Sequence, residues 1–468
     1  MTSLADIKSC HFIGIGGYGM SALAQLLISR GVAVSGSDIK GSVFTEKLTA
    51  MGARIAIGHR EENVEDADLV IFSTAIGRDN PEMQAAKAQG LKIWHRSELL
   101  AQLLNSHYGI AVAGAHGKTT ASAMVALLLN AGGLDPTALI GGYVPAFASN
   151  VRFGNSEYMV AEADESDRSF TRYFPRIAMI TNVEADHLEH YNNDFSTLQQ
   201  AYAEFLSHLP TDGTAVLCFD DPYLPILAEN CAGRVVSYTI DEKLRQKNDY
   251  CAVNIVATGT GSSFDLYHRG KVAVKNIKLG VPGYHNVANA TGSLAVAAAL
   301  GLDLKKCMKV LQDFTGVGRR FEIIGHESGI MVIDDYAHHP TEVAVTIKTA
   351  RAVAEGKVIC VFQPHRYSRT ALLFEDFVQA FREADHVILH SIYAAGEKPL
   401  PGISSVNLAC RISEIIGKTV FVDNDMAAAE KEAVRLAATG DIILVMGAGD
   451  ITNAAHNISA LLKRQKWS

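Results

Sequence analysis

Short apolar runs rich in β-branched and aromatic residues alternate with amphipathic runs along nearly the whole chain, and the series starts three times. In the first hundred residues HFIGIG, VAVSGSD, ARIAIGH and DLVIFSTAI read as strands, separated by SALAQLLISRG and VFTEKLTAMG, whose apolar positions fall at helical spacing. Strict alternation of strand and helix dictates a parallel sheet covered by helices, because parallel neighbours need a crossover connection. The series restarts at Tyr108 with YGIAVAG, the loop AHGKTT and the helical ASAMVALLLNAGG, and continues through EYMVAE, IAMITNV and TAVLCF. From Cys251 to Leu279 alternation is broken by GTGSS and HRGK, the mark of a small antiparallel addition. Beyond Gly316 to Gly318 a third series follows, with IMVIDDY, KVICVFQPH, HVILH, TVFVD and DIILVMGAG as strands. The expected architecture is α/β in three domains. A Rossmann-like N-terminal domain covers 1–107, a central P-loop ATPase-type parallel sheet with a small antiparallel addition covers 108–317, and a Rossmann-like C-terminal domain covers 318–468.

Composition agrees with three domains, since 468 residues divide at roughly 150 per domain. Apolar residues at 48% against 20% charged exclude wholesale disorder. With 42 Lys and Arg against 50 Asp and Glu, the chain has no cationic excess for a nucleic-acid backbone or an anionic membrane. Mononucleotides stay open, because a few amides and one Lys can bind a phosphate whatever the net charge. Cysteines at 10, 218, 231, 251, 307, 360 and 410 form no CxxC pair, so neither a disulfide framework nor a thiolate zinc site is expected. The opening MTSLADIKSC lacks a basic, apolar leader pattern, and no apolar run approaches a membrane span. The expectation is a soluble cytoplasmic protein.

Two glycine loops carry the candidate chemistry. GIGGYG places Gly14, Gly16, Gly17 and Gly19 between a strand and a helix that starts near Met20, with Asp38 ending the next strand, where a dinucleotide site keeps its ribose-binding acid. Such a loop cradles a diphosphate on glycine backbone and helix-terminal amides, but it leaves open which nucleotide carries the diphosphate. In GAHGKTT, the residues Gly114, Ala115, His116, Gly117, Lys118, Thr119 and Thr120 hold the Gly-Lys-Thr core of a P-loop; Val112 replaces the first glycine of the strict spelling. Lys118 is suited to β- and γ-phosphates and the Thr119 hydroxyl to Mg²⁺. Glu162 closes the later strand EYMVAE of the same series, and His187 lies in TNVEADHLEHY after the strand IAMITNV. Each alone reads as an ordinary surface residue, but strand ends of one parallel sheet converge on one crevice, so both become magnesium candidates.

Taken in order, GIGGYGMSA, GAHGKTT, AEADESD, TNVEADH, PGYHNVANA, GRRFE, DDYAHHPTE and QPHRYSRT resemble the Mur ligases, ATP-dependent amide-forming enzymes of peptidoglycan synthesis. Within that family the pattern most resembles the branch that adds L-alanine to UDP-N-acetylmuramate, with the murein-tripeptide recycling branch on the same UDP-sugar as the alternative. The resemblance implies UDP at Gly14 to Gly19, with Asp38, His59 and Ser73 near ribose or uracil. It implies ATP and Mg²⁺ at Lys118, Thr119, Glu162 and His187, with His285 and Asn289 beside adenine. Arg320 and Asp335 would reach phosphates and ribose, Arg366 and Arg369 would grip the amino acid's carboxylate, and Tyr336 and His338 would neighbour the reacting groups. Several members carry a carbamylated Lys after the magnesium His. No Lys lies between Lys118 and Lys243, so that group is absent, as it is in the alanine-adding branch.

The implied mechanism converts a carboxylate to an acyl phosphate, which an amine then attacks. Lys118 and Mg²⁺ would stabilise the accumulating charge, and His338 is a candidate for taking the amine's proton, with solvent or Asp335 as rivals. An NAD-dependent oxidoreductase would explain GIGGYG but not the GKT loop, and a P-loop switch would leave Arg366 and Arg369 without a task. Phe314 to Gly318 reads as a hinge on which the last domain closes.

Overall fold

The computed structural model describes residues 7–417 and 420–465. The start of the leader reading and Thr419, first residue of the expected strand TVFVD, lie outside them. Among the described residues there are three sheets. The first contains β1 (Ser9–Ile13), β2 (Ala33–Asp38), β3 (Arg54–Ile57), β4 (Leu69–Phe72) and β5 (Lys92–His95) in the order β3-β2-β1-β4-β5. All its pairings are parallel, as strand–helix alternation requires.

The second sheet has ten strands: β6 (Tyr108–Ala113), β7 (Thr137–Val144), β8 (Ser149–Arg152), β9 (Tyr158–Glu162), β10 (Ile177–Ile180), β11 (Thr214–Cys218), β12 (Arg234–Thr239), β13 (Tyr250–Thr258), β14 (Gly261–His268) and β15 (Lys271–Leu279). Their order is β15-β14-β13-β12-β11-β10-β6-β9-β7-β8, so the expected antiparallel addition is a meander at one end. The strands β7, β8 and β12 carry no strong alternation and were not singled out by periodicity. Ile110 to Ala113 and Ile177 to Ile180 are buried throughout, the continuous apolar signature of strands covered on both faces.

The third sheet contains β16 (Glu322–Glu327), β17 (Ile330–Asp335), β18 (Val358–Phe362), β19 (His386–His390), β20 (Phe421–Asp423) and β21 (Ile442–Met446), ordered β16-β17-β21-β18-β19-β20. Only β16, a hairpin partner of β17, is antiparallel. Its sequence EIIGHE carries a bulge between Ile323 and Gly325, which hides the strand from period-two reading. Two apolar clusters cover the faces of this sheet, one around Phe362, Phe377 and Phe381 and one around Ile443, Ile458 and Leu462.

By packing, the chain forms two compact units. Residues through Asn254 with Phe264–Lys278 and Val287–Phe314 make one; Ile255–Ser263, Leu279–Asn286 and the chain from Thr315 make the other. Within the first unit the helical stretch from Val287 to Ala299 approaches the central sheet at Gly292, where a Cβ would run into Met179 Cε and stand 2.7 Å from Tyr238 Cζ. Replacing Gly292 by Val should lower stability by about 1–3 kcal/mol, because the added methyls find no space. Replacement by Ala should cost less, since its better helix propensity offsets part of the clash by about 1 kcal/mol. Urea unfolding of the two variants checks both the sign and the order.

Candidate active site

In each sheet most candidate residues fall at or just beyond the carboxyl ends of parallel strands, whereas His285 and Asn289 lie on the helix Tyr284–Ala299 and Arg320 precedes β16. On the first sheet Gly14 follows β1, Asp38 ends β2, His59 follows β3 and Ser73 follows β4. Gly14 has φ +78°, the left-handed turn that glycine tolerates, and the helix Tyr18–Ser29 starts two residues earlier than expected, with Gly17 as its N-cap. Asp38 lies on the glycine loop itself: its Oδ2 accepts from Gly16 N at 2.9 Å, and a Cβ on Gly16 would come within 2.8 Å of that oxygen. One cradle amide is thus already engaged by a carboxylate. Ser73 is half-buried. His59 is held from beneath by Ser37 and Glu82, and Glu82 was not legible as a site residue because it lies in an ordinary amphipathic helix.

On the central sheet Gly114 to Gly117 join β6 to the helix Lys118–Ala131. Gly114 has φ +127° and no room for a Cβ, which would run into Thr181 Oγ1; at Gly117, φ +86°, a Cβ would lie 2.7 Å from Asn289 Oδ1. The loop is laced to the end of β10: Asn182 Oδ1 accepts from His116 N, and the Thr181 hydroxyl and Asn182 amide donate to His116 O. His116 Nε2 meets Glu184 Oε2 at 2.7 Å. Lys118 Nζ donates to the carbonyls of Gly114 at 2.6 Å and Ala115 at 3.2 Å, and to both oxygens of Glu165 at 2.9 and 2.8 Å. Burial disfavours the ammonium, but Glu165 and Asp164 outweigh it and hold Lys118 above its usual value, so the lysine stays charged. Glu165 stands among several acids in AEADESD and nothing in the sequence separates it from them; only the fold aims it at Lys118. Thr119 Oγ1 donates to Glu162 Oε2 at 3.2 Å, and Glu162 Oε1 accepts from Gly141 N. His187 occupies a left-handed turn at φ +55°, beside Asp186 and Glu189.

In the second unit Asp335 ends β17 and is buried, with Oδ2 accepting from Phe321 N and Oδ1 from Ala337 N, each at 2.7 Å. Its carboxylate thereby fixes the loop that carries Arg320. The guanidinium groups of Arg319 and Arg320 both stand over the Tyr336 ring, 4.9 Å and 5.3 Å from its centre. Arg320 also faces Glu342 at 3.7 Å. His338 directs Nδ1 to Tyr336 O at 2.9 Å, so that nitrogen carries the proton and Nε2 holds a lone pair. Burial, despite the opposing pull of Glu342, lowers its pKa to about 4. A neutral ring with that pKa accepts a hydrogen bond well but holds a transferred proton poorly at neutral pH, which weakens the general-base reading. His285 is likewise lowered to about 4, by burial and then by Arg320, and its buried Nδ1 has no hydrogen-bond partner among the described residues. Arg366 follows β18, is exposed, and adopts φ +67°, an uncommon conformation for a side chain of its size. Arg369, half-buried, donates to His365 Nδ1 at 3.2 Å, and His365 stacks on Tyr393.

Sequence and geometry together define a class, an α/β protein with a lysine-bearing glycine loop on a large central sheet. Comparison with known proteins narrows it. Residues 9–108 match the model of the Mur ligase family catalytic domain, 112–297 the Mur ligase middle domain, and 319–449 the Mur ligase glutamate ligase domain. The chain belongs to the Mur ligase family. It is 42% identical over 99% of both chains to the UDP-N-acetylmuramate–L-alanine ligase of Geobacter sp. (strain M21). With the enzyme of the same name from Pelotomaculum thermopropionicum it shares 44% over 98% of both. Among solved structures it is similar to the UDP-N-acetylmuramate-alanine ligase of Thermotoga maritima, at 30% identity and a TM-score of 0.81, covering 99% of this chain and 100% of that one. It is also similar to a murein peptide ligase of Psychrobacter arcticus, at 25% and 0.71, covering 97% and 99%.

Asp335 gives a pH signature. Burial, against the pull of Arg320 and the two amides, pushes its carboxyl from 3.8 up to about 6. Folding therefore favours the protonated form. The stabilisation is complete below the unfolded value and is lost as pH rises through the folded one. That interval corresponds to about 3 kcal/mol. Urea unfolding at a series of pH values should show this falling component in the natural chain and its loss in Asp335→Asn; equal slopes would contradict the assignment.

Proposed function

We propose that the chain is an ATP-dependent carbon–nitrogen ligase that joins L-alanine to UDP-N-acetylmuramate in the synthesis of the peptidoglycan precursor. The observation that carries this reading is agreement over essentially full length with relatives of that one name, at 42% and 44% identity. The tripeptide-recycling alternative is not favoured, since the murein peptide ligase compared above is less similar in both sequence and fold. ATP and a nucleotide sugar are cytoplasmic compounds, which is the reason for assigning the reaction to the cytoplasm; among the described residues no helix is long and apolar enough to cross a membrane.

In this reading the glycine loop at Gly14 to Gly19 binds the diphosphate of UDP, and Gly114 to Thr120 bind ATP. Lys118 presents its charge to the β- and γ-phosphates in exchange for Glu165, so the buried ammonium is paired before and after binding. The Thr119 hydroxyl and the Glu162 carboxylate, already in contact, are the hard oxygen donors that Mg²⁺ prefers. The imidazole of His187 fits that ion less well and serves better as a neighbour of its water shell. Magnesium, when bound, neutralises phosphoryl charge. Arg366, exposed and held in place by its backbone at the end of β18, and Arg369 receive the carboxylate of L-alanine as guanidinium forks. The His338 Nε2 lone pair orients the attacking amine by accepting one of its hydrogen bonds.

Lys118→Ala should reduce ligation by about a thousandfold or more, the scale for loss of a charge that stabilises the transition state, with UDP-N-acetylmuramate affinity nearly unchanged. Calorimetry beside a phosphate-release assay reads both, and lost UDP-sugar binding would refute separate sites. NAD should show no binding at concentrations where UDP-N-acetylmuramate saturates; tight NAD binding in the same calorimeter would revive the oxidoreductase.

A further inference from the structure

Glu82 is 0% exposed, in the first turn of the helix Pro81–Ala88. That helix is already capped by Asn80, whose side chain accepts from Glu82 N and Met83 N, so the fold does not need the carboxylate there as a cap. A buried carboxylate is costly unless fully hydrogen-bonded. This one collects donors from several segments: Ser37 Oγ at 2.6 Å, His11 Nε2 at 3.3 Å, Arg60 N at 3.3 Å and the Asn63 amide. His59 Nδ1 lies 3.7 Å from the same Oε2 that Ser37 engages. Despite the opposing effect of burial, these donors lower the Glu82 pKa to about 2, so it is ionised.

The ionised carboxylate settles where the protons lie. A hydroxyl has one hydrogen, and Ser37 gives it to Glu82. The contact between Ser37 Oγ and His59 Nδ1, at 2.9 Å, must then run from the ring N–H to the hydroxyl oxygen. In the neutral ring Nε2 carries the lone pair, on the edge turned away from Glu82, and no described residue hydrogen-bonds it. His59 stands at the carboxyl edge of the first sheet, where Ile39, Val43 and Ile57 are 77%, 73% and 52% exposed, apolar surface of the kind a planar base covers. Uracil differs from cytosine at ring N3, a donor in the first and an acceptor in the second.

We propose that Glu82 is a positioning residue which, through Ser37, fixes His59 as a hydrogen-bond acceptor for the N3–H of uracil and thereby sets the choice of uridine over cytidine nucleotides. The inference rests on the reading that the first sheet binds UDP. Without an acceptor at position 82, the Ser37 proton is free to turn to His59 Nδ1, and the ring presents Nε2–H instead.

The test uses the full chain, with UDP and CDP titrated by calorimetry and KM measured for UDP-N-acetylmuramate and for ATP. The natural chain should prefer UDP, and Glu82→Met, of similar size without an acceptor, should lose about tenfold or more of that preference. KM for UDP-N-acetylmuramate should rise with it while KM for ATP holds. Glu82→Gln keeps an oxygen for Ser37 and should retain most of the preference. A Met variant with the natural UDP-to-CDP ratio, or Met and Gln variants that lose it equally, would overturn the proposal. Should Glu82→Met not fold, nitrogen-15 spectra of imidazole-labelled natural protein decide: Nδ1–H on His59 supports the proposal and Nε2–H overturns it. If the natural chain bound no UDP at all, the reading of the first sheet would fall and this inference with it.

Discussion

A charged ammonium buried beneath a glycine loop sets the terms for the central sheet. Lys118 cannot sit there alone, and in this structure two loop carbonyls and both oxygens of Glu165 surround it. To point those carbonyls inward the loop must take conformations only glycine supports, which fixes Gly114 and Gly117. To hold the loop in that shape, Thr181 and Asn182 at the end of β10 bind the backbone of His116. The cage therefore carries the lysine's counter-charge within it.

The second unit solves a comparable problem with the opposite charge. Asp335 is buried and held by two amides, and its effect on the site is indirect: it shapes the loop from which Arg320 extends over Tyr336. The neighbouring imidazoles of His338, His285 and His365 are each lowered to about 4, with burial as the leading cause. Neutral rings among several guanidinium groups limit charge repulsion. On the first sheet the buried charge is Glu82, again paired through several segments at once. In all three sheets a buried ionised group organises loops at the carboxyl edge of parallel strands, where the crossover topology leaves backbone free to shape a site.

Amino-acid sequence alone determined the repeated strand–helix series, hence parallel sheets, and it determined both glycine loops, because these depend on local periodicity and on residues such as glycine that are needed for one backbone conformation. Lys118 and Thr119 stood out as candidates for the same reason, in a short string whose chemistry is local, whereas Arg366 and Arg369 were singled out only by the family resemblance of their string. Strands without alternation, such as β12 and the bulged β16, were not legible. Only the tertiary structure decided which of the acids in AEADESD meets Lys118, that Asp38 engages Gly16, that Asp335 is occupied by amides, and that Glu82 lies under His59. Apart from the contact of Asp335 with Ala337, these pairings join residues 14 to 47 positions apart. Burial and hydrogen-bond direction are properties of the packed chain, and no local pattern of residues encodes them.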